Sequence, residues 1–343
     1  MSKKKEVFIL DKRANIYITE QGASIKKRSE TIIVEKDDKQ LLEIECFKVD
    51  SILVFGNVQF STQTLKALFE HGIELAIFSY SGKYLGRLFG SYSKNAPLRL
   101  KQHELLSDET FRLKFSREIL SAKIENSLTM IDRSLEARKM DQDESLENLM
   151  KRWLAKVSIA DSQDSLLGLE GSFAREYFER FGRLINKPFE WHGRKMHPSP
   201  DPVNALLSLT YVFVTNRLHS QLEGIGLDPY MGFFHVVDYS RPSLAIDMIE
   251  VLRAPLCDRF VLTLLSRRIF KPDDFENDKS GGVRLLHKGF RKYIGRFEQE
   301  MQRSIKAGEL DTTFNDIIRD SVRNCEDFIM NCGNVKFFRM PLR

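Results

Sequence analysis

Three separated stretches set polar, chemistry-bearing side chains among apolar residues and glycines. In the first, Asp247 and Glu250 stand three positions apart between Pro242 and Arg253. On a helix that spacing puts both carboxylates on one face, with Cβ atoms about 5–6 Å apart. Two such groups on an apolar helix repel each other, and burying them unpaired is costly. They call for a positive partner: an arginine such as Arg253 or Arg259, or a divalent metal. In the second stretch, Glu170 follows the apolar run Leu166-Leu167-Gly168-Leu169 and precedes Gly171. It is either a carboxylate at a helix start, favoured by the helix dipole, or a ligand on a buried face. In the third, His235 closes Gly226-Leu227-Asp228-Pro229-Tyr230-Met231-Gly232-Phe233-Phe234. It is either a satisfied core histidine or a metal ligand. Carboxylates with one imidazole make a hard, oxygen-rich set of charge −2. Such a set suits Mg²⁺ or Mn²⁺, leaves coordination positions for phosphate oxygens and fits phosphodiester chemistry. Spacing alone does not bring Glu170 to His235.

The elements that must position these residues fall into two parts. Over the first ninety residues, Val7–Leu10, Ile16–Thr19, Thr31–Val34, Leu41–Cys46 and Ile52–Phe55 read as short strands, rich in β-branched and aromatic residues. A helix capped by Ser61 or Thr62 follows, then a hairpin of Glu74–Phe78 and Tyr84–Phe89 around Ser81-Gly82-Lys83. Gly90–Pro97 is polar and rich in breakers, which places a linker at about residues 91–98. Beyond it the apolar period becomes 3.6, with helices expected at Glu109 to about Leu135, Asp143–Ile159, Gly171–Ile185, Val203–Gln221, Ser243–Ile269 and Gly289–Ala307. The expected architecture is α+β: a small β-rich domain over 1–90 and a larger all-α domain over 99–343 that carries the metal site.

Composition excludes several classes. With 343 residues, 42% hydrophobic and 29% charged, the chain is an ordinary globular protein of about two domains. A net charge of +5 permits an anionic partner without requiring one. The four cysteines form no CxxC pair, which argues against a disulfide scaffold or a cysteine zinc site and fits a reducing cytoplasm. The apolar run from Ala205 to Val214 is too short and too interrupted to span a membrane. No phosphate-loop, HExxH or dinucleotide-binding signature is present.

The ordered motifs Gly168-x-Glu170-Gly171, Gly226-Leu227-Asp228-Pro229-x-x-Gly232-Phe233-x-His235 and Arg241-x-Ser243-Leu244-Ala245-x-Asp247-x-x-Glu250-x-x-Arg253-x-x-x-x-Asp258 resemble Cas1, the CRISPR-associated integrase family. The likeness runs from about Glu6 to about Glu300, and the last forty residues match no known pattern. It implies a metal-dependent DNA integrase that inserts spacer DNA into a CRISPR array by attack of a 3′-hydroxyl, with endonuclease activity from the same ligands. Glu170, His235 and Glu250 would bind one divalent ion, Mg²⁺ or Mn²⁺, with Asp247 assisting. It further implies homodimerisation through the β-rich domain and a Cas2-like protein partner. Two other readings are a stand-alone structure-specific nuclease and a non-catalytic DNA-binding scaffold whose carboxylates pair with arginines.

DNA binding needs cationic surface. Arg175, Arg241, Arg253, Arg267, Arg268, Arg291 and Lys292 flank or follow the expected ligands, with Arg194, Lys195, Lys271 and Lys288 as further candidates. Arg241 and Arg253 have a second reading as partners of Asp247 and Glu250. Tyr177 and Tyr230 are candidates for stacking on splayed DNA ends.

Overall fold

Alternating apolar and polar side chains lay down two four-stranded sheets in the first part of the chain. The computed structural model describes residues 13–80, 82–90, 93, 95–141, 144–196, 198–235, 237–277, 281–307, 310–331 and 337–341. The chain divides into two units, Met1–Ser91 and Tyr92–Arg343. In the first unit, β1 (Ala14–Ile18), β5 (Val49–Phe55), β7 (Glu74–Phe78) and β8 (Tyr84–Leu88) form one sheet in that order. The pairs β1–β5 and β5–β7 are parallel, while β7 and β8 make the expected hairpin. The second sheet runs β4 (Lys39–Glu45), β3 (Thr31–Lys36), β2 (Ala23–Arg28), β6 (Val58–Phe60). Ile16, Ile18, Ile25, Ile32, Val34, Ile52, Val54 and Leu75 from the two sheets share one buried core, closed by Leu68 of α1 (Thr62–Glu70). Ser61 caps α1 by accepting the Thr64 N–H. Sequence reading passed over β2 and β6, because lysines and an arginine interrupt the one and the other is three residues long. The expected strand Val7–Leu10 lies outside the described residues.

The second unit is built on helices: α2 (Ala96–Leu106), α3 (Glu109–Ala137), α4 (Leu146–Ile159), α5 (Gln163–Gly182) and α6 (Pro202–Ile225). α7 (Ser243–Leu252), α8 (Arg259–Ser266), α9 (His287–Met301) and α10 (Phe314–Met330) complete the set. Asp108, Ser145, Ser162, Asp201 and Thr313 each accept a backbone N–H at a helix start, relieving donors that have no partner inside the helix. α3 is the axis. Its 29 residues extend about 43 Å at 1.5 Å per residue, and α4, α5 and α7 pack along it.

The structure departs from the sequence expectations at four places. Ala96 and Pro97, assigned to the connecting stretch, open α2, where proline suits the first turn. α5 starts at Gln163, well before Gly171, so Glu170 lies inside a helix and not at its start. The helix expected over Ser243–Ile269 is broken by a π-helical stretch, Arg253–Asp258, at Pro255, which has no N–H to donate. The helix expected to reach Ala307 stops at Met301. β11 (Ser304–Ala307) pairs there antiparallel with β12 (Leu310–Thr313), and a second ribbon joins β9 (Phe275–Asn277) to β10 (Val283–Leu285). Among the described residues, no helix is long and apolar enough to cross a membrane.

Candidate metal centre

The loop carrying His235 is held at both ends and in the middle. Gly226 ends α6 with φ +106°, a left-handed conformation that costs glycine little. Gln102 of α2 then donates to the carbonyls of Asp228 and Met231, both at 2.9 Å, and accepts the Asp228 N–H at 2.8 Å. The Pro229 carbonyl accepts the Leu244 N–H at 2.9 Å, so the loop caps α7 in place of a side chain. At Gly232 the loop passes so close to α7 that a Cβ would sit 2.6–2.8 Å from Ser243 and from Asp247 Oδ2.

Asp247 closes this arrangement. Its carboxylate is fully buried, and Oδ2 accepts the N–H groups of Phe233 and Phe234 at 2.8 and 3.0 Å. Oδ1 accepts the His235 N–H at 2.9 Å and lies 2.7 Å from His235 Nδ1. An ionised carboxylate only accepts, so this contact assigns the imidazole proton to Nδ1 and leaves the lone pair on Nε2. Among the described residues, Nε2 has no hydrogen-bond partner. With both oxygens occupied by N–H donors, Asp247 orients the histidine and does not itself face the site.

Glu250, one turn along α7, faces α3. Its side chain is 1% exposed, with Oε1 3.0 Å from Arg253 and Oε2 2.7 Å from the Lys123 ammonium. Burial pushes its carboxyl up, but Arg253 and Lys123 outweigh burial and hold it down at about 2. Lys123 also pairs with Glu170 of α5. It is set there by Asn126, one turn further along α3, which donates to the Val251 carbonyl of α7 at 2.8 Å. The sequence reading missed Lys123. Its signal was a lysine at the spacing of Ile119, Asn126 and Met130, on the stripe of α3 that should be apolar.

Glu170 and Glu250 thus meet on one cation, and His235 is tied through Asp247 to the helix that carries Glu250. Among the described residues, no three histidine, cysteine or acidic side chains converge into a ready cage, and the Lys123 ammonium contacts both carboxylates. The donor set still fits a hard divalent ion. Glu250 Oε2 is buried and takes no hydrogen bond, its contact with Lys123 being a charge contact off hydrogen-bond geometry. His235 Nε2 is held ready by its Nδ1 partner, as metal-binding histidines are.

Behind the site lies a buried polar network. Arg253 stacks on the Tyr211 ring at 4.9 Å, and Arg194 packs on the same ring at 5.2 Å. Tyr211 and Tyr177 donate to the two oxygens of Asp258 at 2.5 and 2.6 Å. Burial pushes the Asp258 carboxyl up, and the tyrosine hydroxyls and arginines only partly offset it, leaving it at about 6. Tyr177 is therefore committed to the interior and does not face DNA, and Arg253 serves Glu250 and Tyr211. Arg259, the other arginine considered for the carboxylates, pairs with Glu300 instead. Arg175, Arg267, Arg268, Arg291 and Lys292 are exposed, whereas Arg241 is half-buried. Lys292 also bonds the Ile269 carbonyl and lies 5.1 Å from the Phe270 ring. Tyr230 is 41% exposed, with its ring edge-on to His219.

Comparison with known proteins agrees with this layout. The profile of the family described as "CRISPR associated protein Cas1" matches residues 16–299. The protein named CRISPR-associated endonuclease Cas1 3 of Thermus thermophilus is 32% identical over 293 residues, covering 85% of this chain and 86% of that one. Among solved structures, a casposase bound to integration product superposes with a TM-score of 0.82 at 19% identity, covering 97% of this chain and 96% of that one. A chain of a Cas6-RT-Cas1–Cas2 complex gives 0.81 at 25% identity, covering all of this chain and 38% of its own length. The profile match over most of the sequence, and a relative of that identity over most of both chains, place this chain in the Cas1 family.

Proposed function

We propose that this chain is a metal-dependent DNA integrase that inserts spacer DNA into a CRISPR array, with endonuclease activity from the same site. The observation that carries the reading is two carboxylates drawn onto one cation, with a histidine fixed by Asp247 of the same helix in the tautomer that frees Nε2. Glu170, His235 and Glu250 would hold the ion, Mg²⁺ or Mn²⁺. Once bound, such an ion polarises the scissile phosphodiester and lowers the pKa of the attacking hydroxyl. The chain's own residues prepare the rest. Asp247 keeps the proton on His235 Nδ1, and Arg253 and Lys123 favour the ionised form of Glu250. Exposed Arg175, Arg267, Arg268 and Arg291 supply cationic surface for phosphates. In the reaction, the 3′-oxygen of the incoming strand bonds to phosphorus as the bond to the 3′-oxygen of a repeat strand breaks. One phosphodiester replaces another, and the proton passes from the attacking hydroxyl to the departing one.

The Thermus relative, named an endonuclease, supports nuclease chemistry, and the Cas6-RT-Cas1–Cas2 complex supports a Cas2-like partner. The casposase bound to integration product shares the fold, which accords with strand joining. Dimerisation through the β-rich unit and residence in the cytoplasm belong to the same reading. The test is strand transfer: DNA with free 3′-hydroxyls, a repeat-bearing target and the Cas2-like partner, with Mn²⁺ or with EDTA. Joined products that need the metal and vanish in Glu170→Ala, His235→Ala and Glu250→Ala are expected. Cleavage without joining identifies a stand-alone nuclease. The ammonium between the two glutamates is also what a non-catalytic scaffold would have; such a protein takes up no Mn²⁺ and shows neither product.

A further inference from the structure

Lys123 is a second chemistry-bearing residue on the predominantly apolar face that α3 turns toward α5 and α7. Its side chain is 7% exposed, and its ammonium contacts Glu170 and Glu250 together. Without it, Glu170 would keep no ion pair among the described residues, and the buried Oε2 of Glu250 would lose the cation beside it. Asn126 bonds α3 to the Val251 carbonyl and so holds this lysine in register with Glu250. We infer that Lys123 is an internal counter-cation that exchanges with the divalent ion. It compensates the carboxylate pair in the metal-free protein and is displaced as the ion enters, so that it sets both metal affinity and metal-free stability. This rests on the reading of Glu170 and Glu250 as ligands.

The physical reason is charge balance. Two carboxylates at 20% and 1% side-chain exposure require compensation in every state of the folded protein. Arg253 stays on Glu250 Oε1, so Lys123 supplies the share of compensation that falls between Glu170 and Oε2, and a divalent ion placed there takes over that share with a second charge. An ammonium also holds only one site between the oxygens, which the ion needs. The divalent cation therefore competes with a tethered rival already in place, and removing the rival raises the apparent affinity. Two like cations within a few ångströms repel, so the lysine cannot simply stay.

The experiment uses the full-length protein stripped with EDTA and titrated calorimetrically with MnCl₂, comparing wild type, Lys123→Met, Lys123→Arg and Glu250→Gln. Lys123→Met removes the charge while keeping much of the stem. It is expected to bind Mn²⁺ about tenfold more tightly, because no cation need be displaced. In EDTA it melts about 5 °C or more below wild type and regains that loss in Mn²⁺. Lys123→Arg, a clamp that carboxylates release less readily, is expected to bind Mn²⁺ more weakly than wild type. If Lys123→Met is unfolded in both conditions, the Arg variant decides: unchanged affinity overturns the exchange. If Glu250→Gln abolishes the binding heat while Lys123→Met and wild type have equal affinity, the exchange is overturned and the metal site stands. If wild type and Lys123→Met both take no Mn²⁺, the metal site fails and takes the exchange with it.

Discussion

Replacing Asp247 by asparagine changes one atom and should damage both the fold and the metal site. The carboxylate accepts four N–H donors, two on each oxygen. An amide has one acceptor oxygen, so its NH₂ group must face a pair of donors. With NH₂ in the Oδ2 position, the buried N–H groups of Phe233 and Phe234 lose their acceptor. At roughly 1–3 kcal/mol for each unsatisfied buried donor, that orientation costs about 2–6 kcal/mol. With NH₂ in the Oδ1 position, only the His235 N–H is stranded, for about 1–3 kcal/mol, because the ring can accept the amide proton at Nδ1 by moving its own proton to Nε2. The cheaper orientation therefore protonates the nitrogen that should bind metal. The variant is expected to lose at least about 1–3 kcal/mol in urea denaturation and about 10–100-fold in Mn²⁺ affinity by calorimetry. Nitrogen-15 spectra of the histidine ring should show the proton moved from Nδ1 to Nε2. Stability within about 0.5 kcal/mol of wild type together with unaltered Mn²⁺ affinity would refute the assignment of Asp247 as the residue that fixes His235.

Other expectations follow from the same geometry. Asp258, raised from 3.8 to about 6 in the fold, binds its proton more tightly folded than unfolded. Its contribution is therefore full below pH 3.8 and is lost as pH rises through about 6. Against Asp258→Asn, wild type should thus lose about 2 kcal/mol of relative stability between pH 4 and 7, since one pKa unit is worth about 1.4 kcal/mol and part of the shift is already spent at pH 4; parallel pH–stability curves would contradict this. Gly232→Ala places a Cβ 2.6–2.8 Å from Ser243 and Asp247. It should cost about 1–3 kcal/mol and weaken Mn²⁺ binding by displacing the His235 loop, and a neutral result would mean that the loop is not braced on α7. Arg267→Ala with Arg268→Ala, both exposed, should reduce the slope of log affinity for duplex DNA against log salt by about 2 if each contacts a phosphate. An unchanged slope removes that pair from the DNA path.

The legible parts of the molecule were those where chemistry and pattern coincide. β-branched alternation located most strands of the first unit, and the 3.6 period located most of the helices from Glu109 to Met301. The motif around His235 was readable because each special residue has a backbone duty: Gly226 turns left-handed, Pro229 offers a capping carbonyl and Gly232 clears Ser243. The partner of Glu250 was foreseen as an arginine or a metal, and Arg253 is indeed one partner. Lys123 was not foreseen, because a lysine in an otherwise amphipathic helix reads as solvated surface until tertiary packing buries it. Nor could the three-residue spacing of Asp247 and Glu250 tell that the two diverge, one toward backbone N–H groups and the other toward α3. That distinction depends on where the loop before α7 runs. The hairpins after Pro272 were missed because pairings of three or four residues carry little periodic signal. Helix α10 was legible and passed over: Phe314, Ile317, Ile318, Val322, Cys325, Phe328 and Ile329 recur at helical spacing, and all are buried.

The central claim is that His235 Nε2 ligates a divalent ion held with Glu170 and Glu250. Pulsed electron paramagnetic resonance of the Mn²⁺-loaded protein reads this directly, through the nitrogen-14 coupling of a bound imidazole. One coupled nitrogen that disappears in His235→Gln is the expected result. Mn²⁺ bound with no nitrogen coupling, or with a coupling that survives in His235→Gln, would place the ion elsewhere and contradict the account.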